Sequence, residues 1–252
     1  MRLHSEDSRL FLVELSDFTE GPPAPRVAEN LDALRPVLDW AKAYLCNPHP
    51  QLGRAGPVCP FTPPSIRKEL FFLAVWRGAE LDGEEVVEVV RLYRDWFLEL
   101  EPRDGRDAQY KSINILFPDL PREAWSTLIE ATQERLKPEY VPHGIMIGEF
   151  HPGPPEKESL WNPDFRPLKS PLPLLSIRNM VPTDFAFLKG RKDFMQAYLR
   201  LHGDNLPLKM ADEVHRVAAA FGLAVPAPSV AIPVPASVVE QARPVRVAEP
   251  AG

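Results

Sequence analysis

Cys59 is the residue of this 252-residue chain with the most chemistry to offer. It stands in Gly56-Pro57-Val58-Cys59-Pro60-Phe61, where flanking prolines restrict the backbone and fix the direction of the thiol. A helix predicted to start a few residues later would turn its positive end toward the sulfur and favour the thiolate. His49 and Arg54, close by in sequence, would add positive potential. A thiolate serves two chemistries: nucleophilic attack, and ligation of a soft metal or a haem iron. The bland alternative is a cysteine buried as a small apolar residue, a common fate of free cysteines.

A second stretch runs from 148 to 171. Gly148-Glu149-Phe150-His151-Pro152 closes a predicted strand and opens a proline-stiffened loop, which would hang Glu149 and His151 over a pocket. Asn162, Asp164 and Arg166 follow, and the planar fork of Arg166 suits a carboxylate. Asn-Pro-Asp is equally good turn chemistry, so the same stretch also reads as a solvated connection. Arg178 is a third candidate, a charge among apolar strand residues that must be paired or face solvent.

Other site types find little support. The six histidines show no HxH or HxxxH spacing, and Cys46 and Cys59 make no CxxC pair, which argues against structural zinc. His143, His202 and His215 suit loops or helix faces. Glu84, Glu85, Glu88, Glu99 and Glu101 suit a solvated helix face and its ends, without the ExxH pairs of a di-iron bundle. No phosphate loop, GxSxG elbow or HExxH helix is written in the chain.

The elements that must position these residues follow from hydrophobic spacing. Residues 8–15 read as a strand. A helix is predicted over 29–45, with Leu31, Leu34, Leu38, Ala41 and Leu45 on one face. A nearly all-apolar helix is predicted over 64–77, with Pro63 and Pro64 in its first turn. Asp82 and Glu85 read as a capping box for a helix over 83–100. Strands are expected at 111–117, 144–150 and 172–180, the last placed at a sheet edge by Pro173. Helices are expected at 122–136, at 182–202 with a break near Gly190, and at 207–221, capped by Gly222. Helices and strands do not alternate regularly, so the fold class is α+β: one helix-rich domain over 1–224 with a small sheet of three to four short strands. Residues 225–252, rich in Pro, Ala and Val, read as a disordered or extended tail.

Composition narrows the function classes. Apolar residues make up 44% and charged ones 25%, as in ordinary globular proteins, while 30 prolines are well above the usual share and imply stiff loops. A net charge of −6 with no Lys/Arg run argues against nucleic acid. No apolar run approaches the ~20 residues of a membrane span. The N-terminus lacks the apolar core of a signal peptide, and two cysteines make no disulfide scaffold, so the cytoplasm is the expected address. The expected partners are a small-molecule substrate and a second copy of the chain in a homodimer.

Two resemblances enter on the stretches already quoted. His49-Pro50, Leu52-Gly53-Arg54 and Gly56-Pro57-Val58-Cys59-Pro60-Phe61, with Gly148-Glu149-Phe150-His151-Pro152 and Asn162-Pro163-Asp164-Phe165-Arg166-Pro167-Leu168-Lys169-Ser170-Pro171, resemble a bacterial domain family of unknown function found near natural-product genes. More remotely, the order of parts is similar to the YqcI/YcgG-type haem proteins, which carry a Pro-Cys motif before a helix, a later strand with Gly, and a polar loop with His and Arg. The flank Val-Cys-Pro-Phe departs from theirs, and the later loop lacks their Arg-rich run. This resemblance implies a haem-thiolate oxygenase acting on a small amine, guanidine or amino acid in natural-product metabolism. It implies Cys59 as the metal ligand, with Phe61 and Arg178 beside the cofactor. His49 or His151 would then deliver protons, and Arg54, Arg166 or Arg178 would hold a carboxylate. Two other readings stay open: a cofactor-free enzyme with Cys59 as nucleophile and His49 or His151 as base, and a non-catalytic binding or scaffold protein of a biosynthetic pathway.

Overall fold

The computed structural model describes residues 1–157, 159 and 162–227. Nearly all of the predicted tail, 228–252, lies outside the described residues. The first strands are short: β1 (Arg2–Leu3) pairs antiparallel with β2 (Phe11–Leu12), and Val13 bridges onto Leu73. The strand expected at 8–15 thus shrinks to a two-residue ribbon strand and one bridge. Helix α1 (Leu31–Trp40) runs on through a wider π-type turn, Ala41–Leu45. Its stripe of Leu34, Val37, Leu38 and Ala41 is buried, as the helical spacing predicts.

The helix expected over 64–77 is corrected. Only Thr62–Arg67 is helical (α2), and Phe71–Val75 is a strand, β3. Glu69, at φ 56, turns the chain between them. All five β3 residues are buried. A strand covered on both faces is a continuous apolar run, which periodicity cannot tell from a buried helix.

The helix α3 (Gly83–Glu99) begins where Asp82 accepts a hydrogen bond from the Glu85 amide at 2.8 Å. After it come β4 (Ser112–Leu116), helix α4 (Ala131–Tyr140) entered through a π-type turn at Trp125–Glu130, β5 (Ile145–Phe150) and β6 (Leu174–Asn179). A helical turn at Phe185–Leu188, then α5 (Lys192–His202) and α6 (Leu208–Ala220) complete the described chain. The break falls at Gly190, and Gly222 takes the left-handed conformation (φ 67) of a helix terminator.

The main sheet has the order β3-β4-β6-β5. β3 and β4 are parallel, and the other two pairings are antiparallel. β6 therefore lies inside the sheet, not at the edge its proline suggested. Pro173 sits just ahead of the strand, where its missing N–H costs no ladder bond, and its carbonyl accepts from Phe117 N–H at 3.0 Å. The class is α+β, as expected.

The two faces of this sheet differ. One presents Phe72, Ala74, Ile113, Ile115, Leu175, Ile177, Ile145 and Ile147 to α3 and α4, forming the main core. The other is apolar only at the end covered by α1, where Leu73, Val75, Leu116 and Leu174 pack on Leu34, Val37 and Leu38. A third cluster joins Met146 and Met180 to α5 and α6. No helix among the described residues is long and apolar enough to cross a membrane.

Candidate functional site

The second face carries a polar floor. β4 and β6 pair in the register Ser112↔Arg178 and Asn114↔Ser176, and β6 and β5 pair as Arg178↔Met146 and Ser176↔Gly148. Alternation puts these side chains on one side, so two rows of the sheet read Ser112–Arg178–Met146 and Asn114–Ser176–Gly148. Asn114 donates to Phe72 C=O at 3.1 Å and to Ser112 Oγ at 3.4 Å, and its Oδ1 accepts from Ser176 Oγ at 2.9 Å. Gly148 contributes backbone only, which leaves room above the floor.

Above this floor lies a cavity of about 220 Å³. Its wall is largely apolar, built by Trp40, Leu45, Phe61, Phe71, Phe150, Leu168 and Leu174, with Cys59 among them. Ser65, Tyr110, Ser112 and Arg178 also line it, as do Gln133, Lys137, Glu149 and Lys157 around the β5 edge. An apolar concave site with a few convergent polar groups is the usual form of a small-molecule pocket, and this one falls just under the common range of roughly 300–1,000 Å³.

Cys59 is half-buried. It is held by its N–H, which donates to Leu45 C=O at 2.9 Å, so the turn ending α1 fixes the cysteine loop. Its sulfur is close enough to Arg54 and Arg178 to interact electrostatically with both guanidinium groups. Cys46 differs: it is absent from the cavity wall, and burial pushes its thiol up.

Arg178 settles the alternative posed by its sequence, for it is paired. Its two terminal nitrogens donate to Asp184 at 2.7 and 2.6 Å, and Asp184 is buried and also accepts from Val181 N–H at 2.8 Å. Burial works to lower the guanidinium pKa, but Asp184 outweighs it and holds the value up, so the charge is permanent.

Of the residues singled out in sequence, the structure brings Cys59, Phe61 and Arg178 onto one wall. Glu149 joins them from the β5 edge. His49, Arg54, His151 and Arg166 are not on that wall. His49 caps the turn at Pro50–Leu52, and its ring stacks on Phe165 at 4.6 Å. With the bond from Asn162 Nδ2 to Gln51 C=O at 2.8 Å, it ties the cysteine loop to the 151–171 loop. Arg54 braces its own loop through Ala55 and Val58 carbonyls, and burial lowers its pKa. Arg166 donates to Pro163 C=O. His151 is buried against Trp125, its Nε2 3.2 Å from Glu130 Oε1 and its Nδ1 without a partner. The sequence reading passed over Ser112, Asn114 and Ser176, although each interrupts an apolar strand at alternate positions. It also passed over Gln133 and Lys157.

The wall offers some of what a thiolate-ligated haem site uses, a half-buried cysteine among aromatic and aliphatic side chains. Enclosed volume is the tight dimension of that fit. Among the described residues no group of three or more His, Cys, Asp or Glu is placed to hold a bare metal ion.

Residues 34–213 match the family described as a domain of unknown function (DUF6875), and since this spans most of the chain, the protein belongs to that family. No curated protein and no solved structure matches it.

Proposed function

Starting from a family without an assigned activity, we propose that this protein is a haem-thiolate oxygenase for a small amine, guanidine or amino acid. One observation carries the reading: Cys59, the cysteine singled out in sequence, lies on the wall of a largely apolar cavity that it shares with Arg178. Bound there, haem would supply oxygen activation, which thiolate ligation promotes. The chain's own residues do the rest. Cys59 Sγ is the ligand. Trp40, Phe61, Phe71 and Phe150 give packing surface and exclude water. Arg178, fixed by Asp184, orients a carboxylate over the floor of Ser112, Asn114 and Ser176. His49 and His151, off the wall, act on loop geometry and are not proton donors to the substrate.

The test is the absorption spectrum of protein produced with iron and haem precursor. A Soret band that is lost or shifted in Cys59→Ser supports the reading. A colourless wild type, or a band unchanged in the variant, sinks it.

The volume of about 220 Å³ favours a second reading, in which Cys59 attacks a small substrate without any cofactor. Iodoacetamide at neutral pH separates the two cysteines. Cys59 labelled many times faster than Cys46 in colourless, folded protein supports this reading, and equal slow labelling rejects it.

A further inference from the structure

The β5 end of the cavity holds a second feature, independent of the cysteine. Glu149 is buried, its side chain only 2% exposed, and it stands on the cavity wall. Gln133, also buried, donates its Nε2 to Ile147 C=O at 3.0 Å, which fixes the amide so that Oε1 faces the carboxylate. Two acceptors therefore converge on one point. An ionised buried carboxylate beside a buried carbonyl oxygen is best satisfied by a cation that donates to both.

The cation present is the chain's own Lys157. Its ammonium contacts Glu149 Oε1 and donates to Gln133 Oε1 at 3.0 Å. The lysine arrives from the loop beyond the strand, and its side chain is 43% exposed, in contrast to the carboxylate it meets. Lys137, the other cation nearby, makes its hydrogen bond to Phe187 C=O at 3.0 Å and interacts with Glu149 only through its charge. The acceptors are thus built into β5 and α4, while the donor can withdraw into water without unpacking the core.

We propose that Glu149 and Gln133 form a recognition site for a ligand's primary ammonium, and that Lys157 is a placeholder which the ligand displaces. The site needs no haem. It goes beyond the reading above by naming the residues that select a cationic ligand at the β5 edge of the cavity.

The probe is n-propylammonium, the lysine side chain beyond Cβ, titrated into haem-free protein. In Lys157→Ala it should restore the lost thermal stability in a saturable manner. At equal concentration n-propanol should not, and Glu149→Gln/Lys157→Ala should not respond. Affinity for the wild type should be at least tenfold weaker than for Lys157→Ala, because the lysine competes. Rescue by n-propanol, or an equal response in the double variant, overturns the proposal. Should Lys157→Ala fail to fold, the Gln133 side-chain amide resonance of the wild type decides: it should shift with n-propylammonium and not with n-propanol, and no selective shift rejects the site. None of these readings uses a Soret band, so failure here and failure of the haem reading are separable.

Discussion

The two faces of the central sheet are made by the same four strands and differ by one residue in step. On one face Ile113, Ile115, Leu175, Ile177 and Ile147 pack against α3 and α4 in the main hydrophobic core. On the other, their immediate neighbours Ser112, Asn114, Ser176, Arg178 and Gly148 line a cavity. Alternation sends neighbours to opposite faces, so a single strand can serve the core and a site at once. The apolar face provides stability. The polar face spends some of it, burying an arginine–aspartate pair and an amide network that need mutual satisfaction to be tolerated.

Mutations on the two faces should therefore read out differently. Ile115→Ala, on the closed face, should lower unfolding free energy by about 2–5 kcal/mol in urea titration and leave the cavity's ligand preference unchanged. Asp184→Asn, on the open face, strands a guanidinium that is 31% exposed, so the loss should be about 2 kcal/mol, below that of a fully buried pair. Unlike the core variant, it should alter carboxylate binding in the cavity.

A pH effect follows from Glu149. Burial, opposed by Lys157, raises its carboxyl above the ordinary 4.5. The folded state then keeps a proton that the unfolded chain releases, so stability should fall as pH rises from about 4.5 through the folded value. The slope contributed by this one group is at most about 1.4 kcal/mol per pH unit. Glu149→Gln should flatten it in parallel urea titrations, and an unchanged profile would contradict the assignment. Ser176→Ala gives the smallest change, about 1 kcal/mol for the bond to Asn114 Oδ1. If Ser176→Ala matched Ile115→Ala in cost, the contrast between the faces would fail.

Much of this contrast was legible in the chain. The alternation Ser112-Ile113-Asn114-Ile115 and Leu175-Ser176-Ile177-Arg178 marks one polar and one apolar side of each strand. What the sequence could not supply was register, which sets Ser112 opposite Arg178 and Asn114 opposite Ser176. Cys59 and Arg178, well apart in the chain, were each picked out singly, and only the fold places them on one wall. His49 was chosen for its place beside the cysteine motif, and His151 for its place where a strand end opens a polar loop. The structure uses His49 to stack two loops together and packs His151 behind the strand end. β3 was mistaken for helix because burial on both faces erases the period that distinguishes them.

The central claim is that the cysteine on the open face is the functional one. Haem titrated into wild type, Cys46→Ser and Cys59→Ser tests it most directly, because both variants remove one half-buried thiol from neighbouring turns. The account predicts one shared Soret band for the wild type and Cys46→Ser, and a lost or displaced band for Cys59→Ser. An identical band in all three proteins would contradict it.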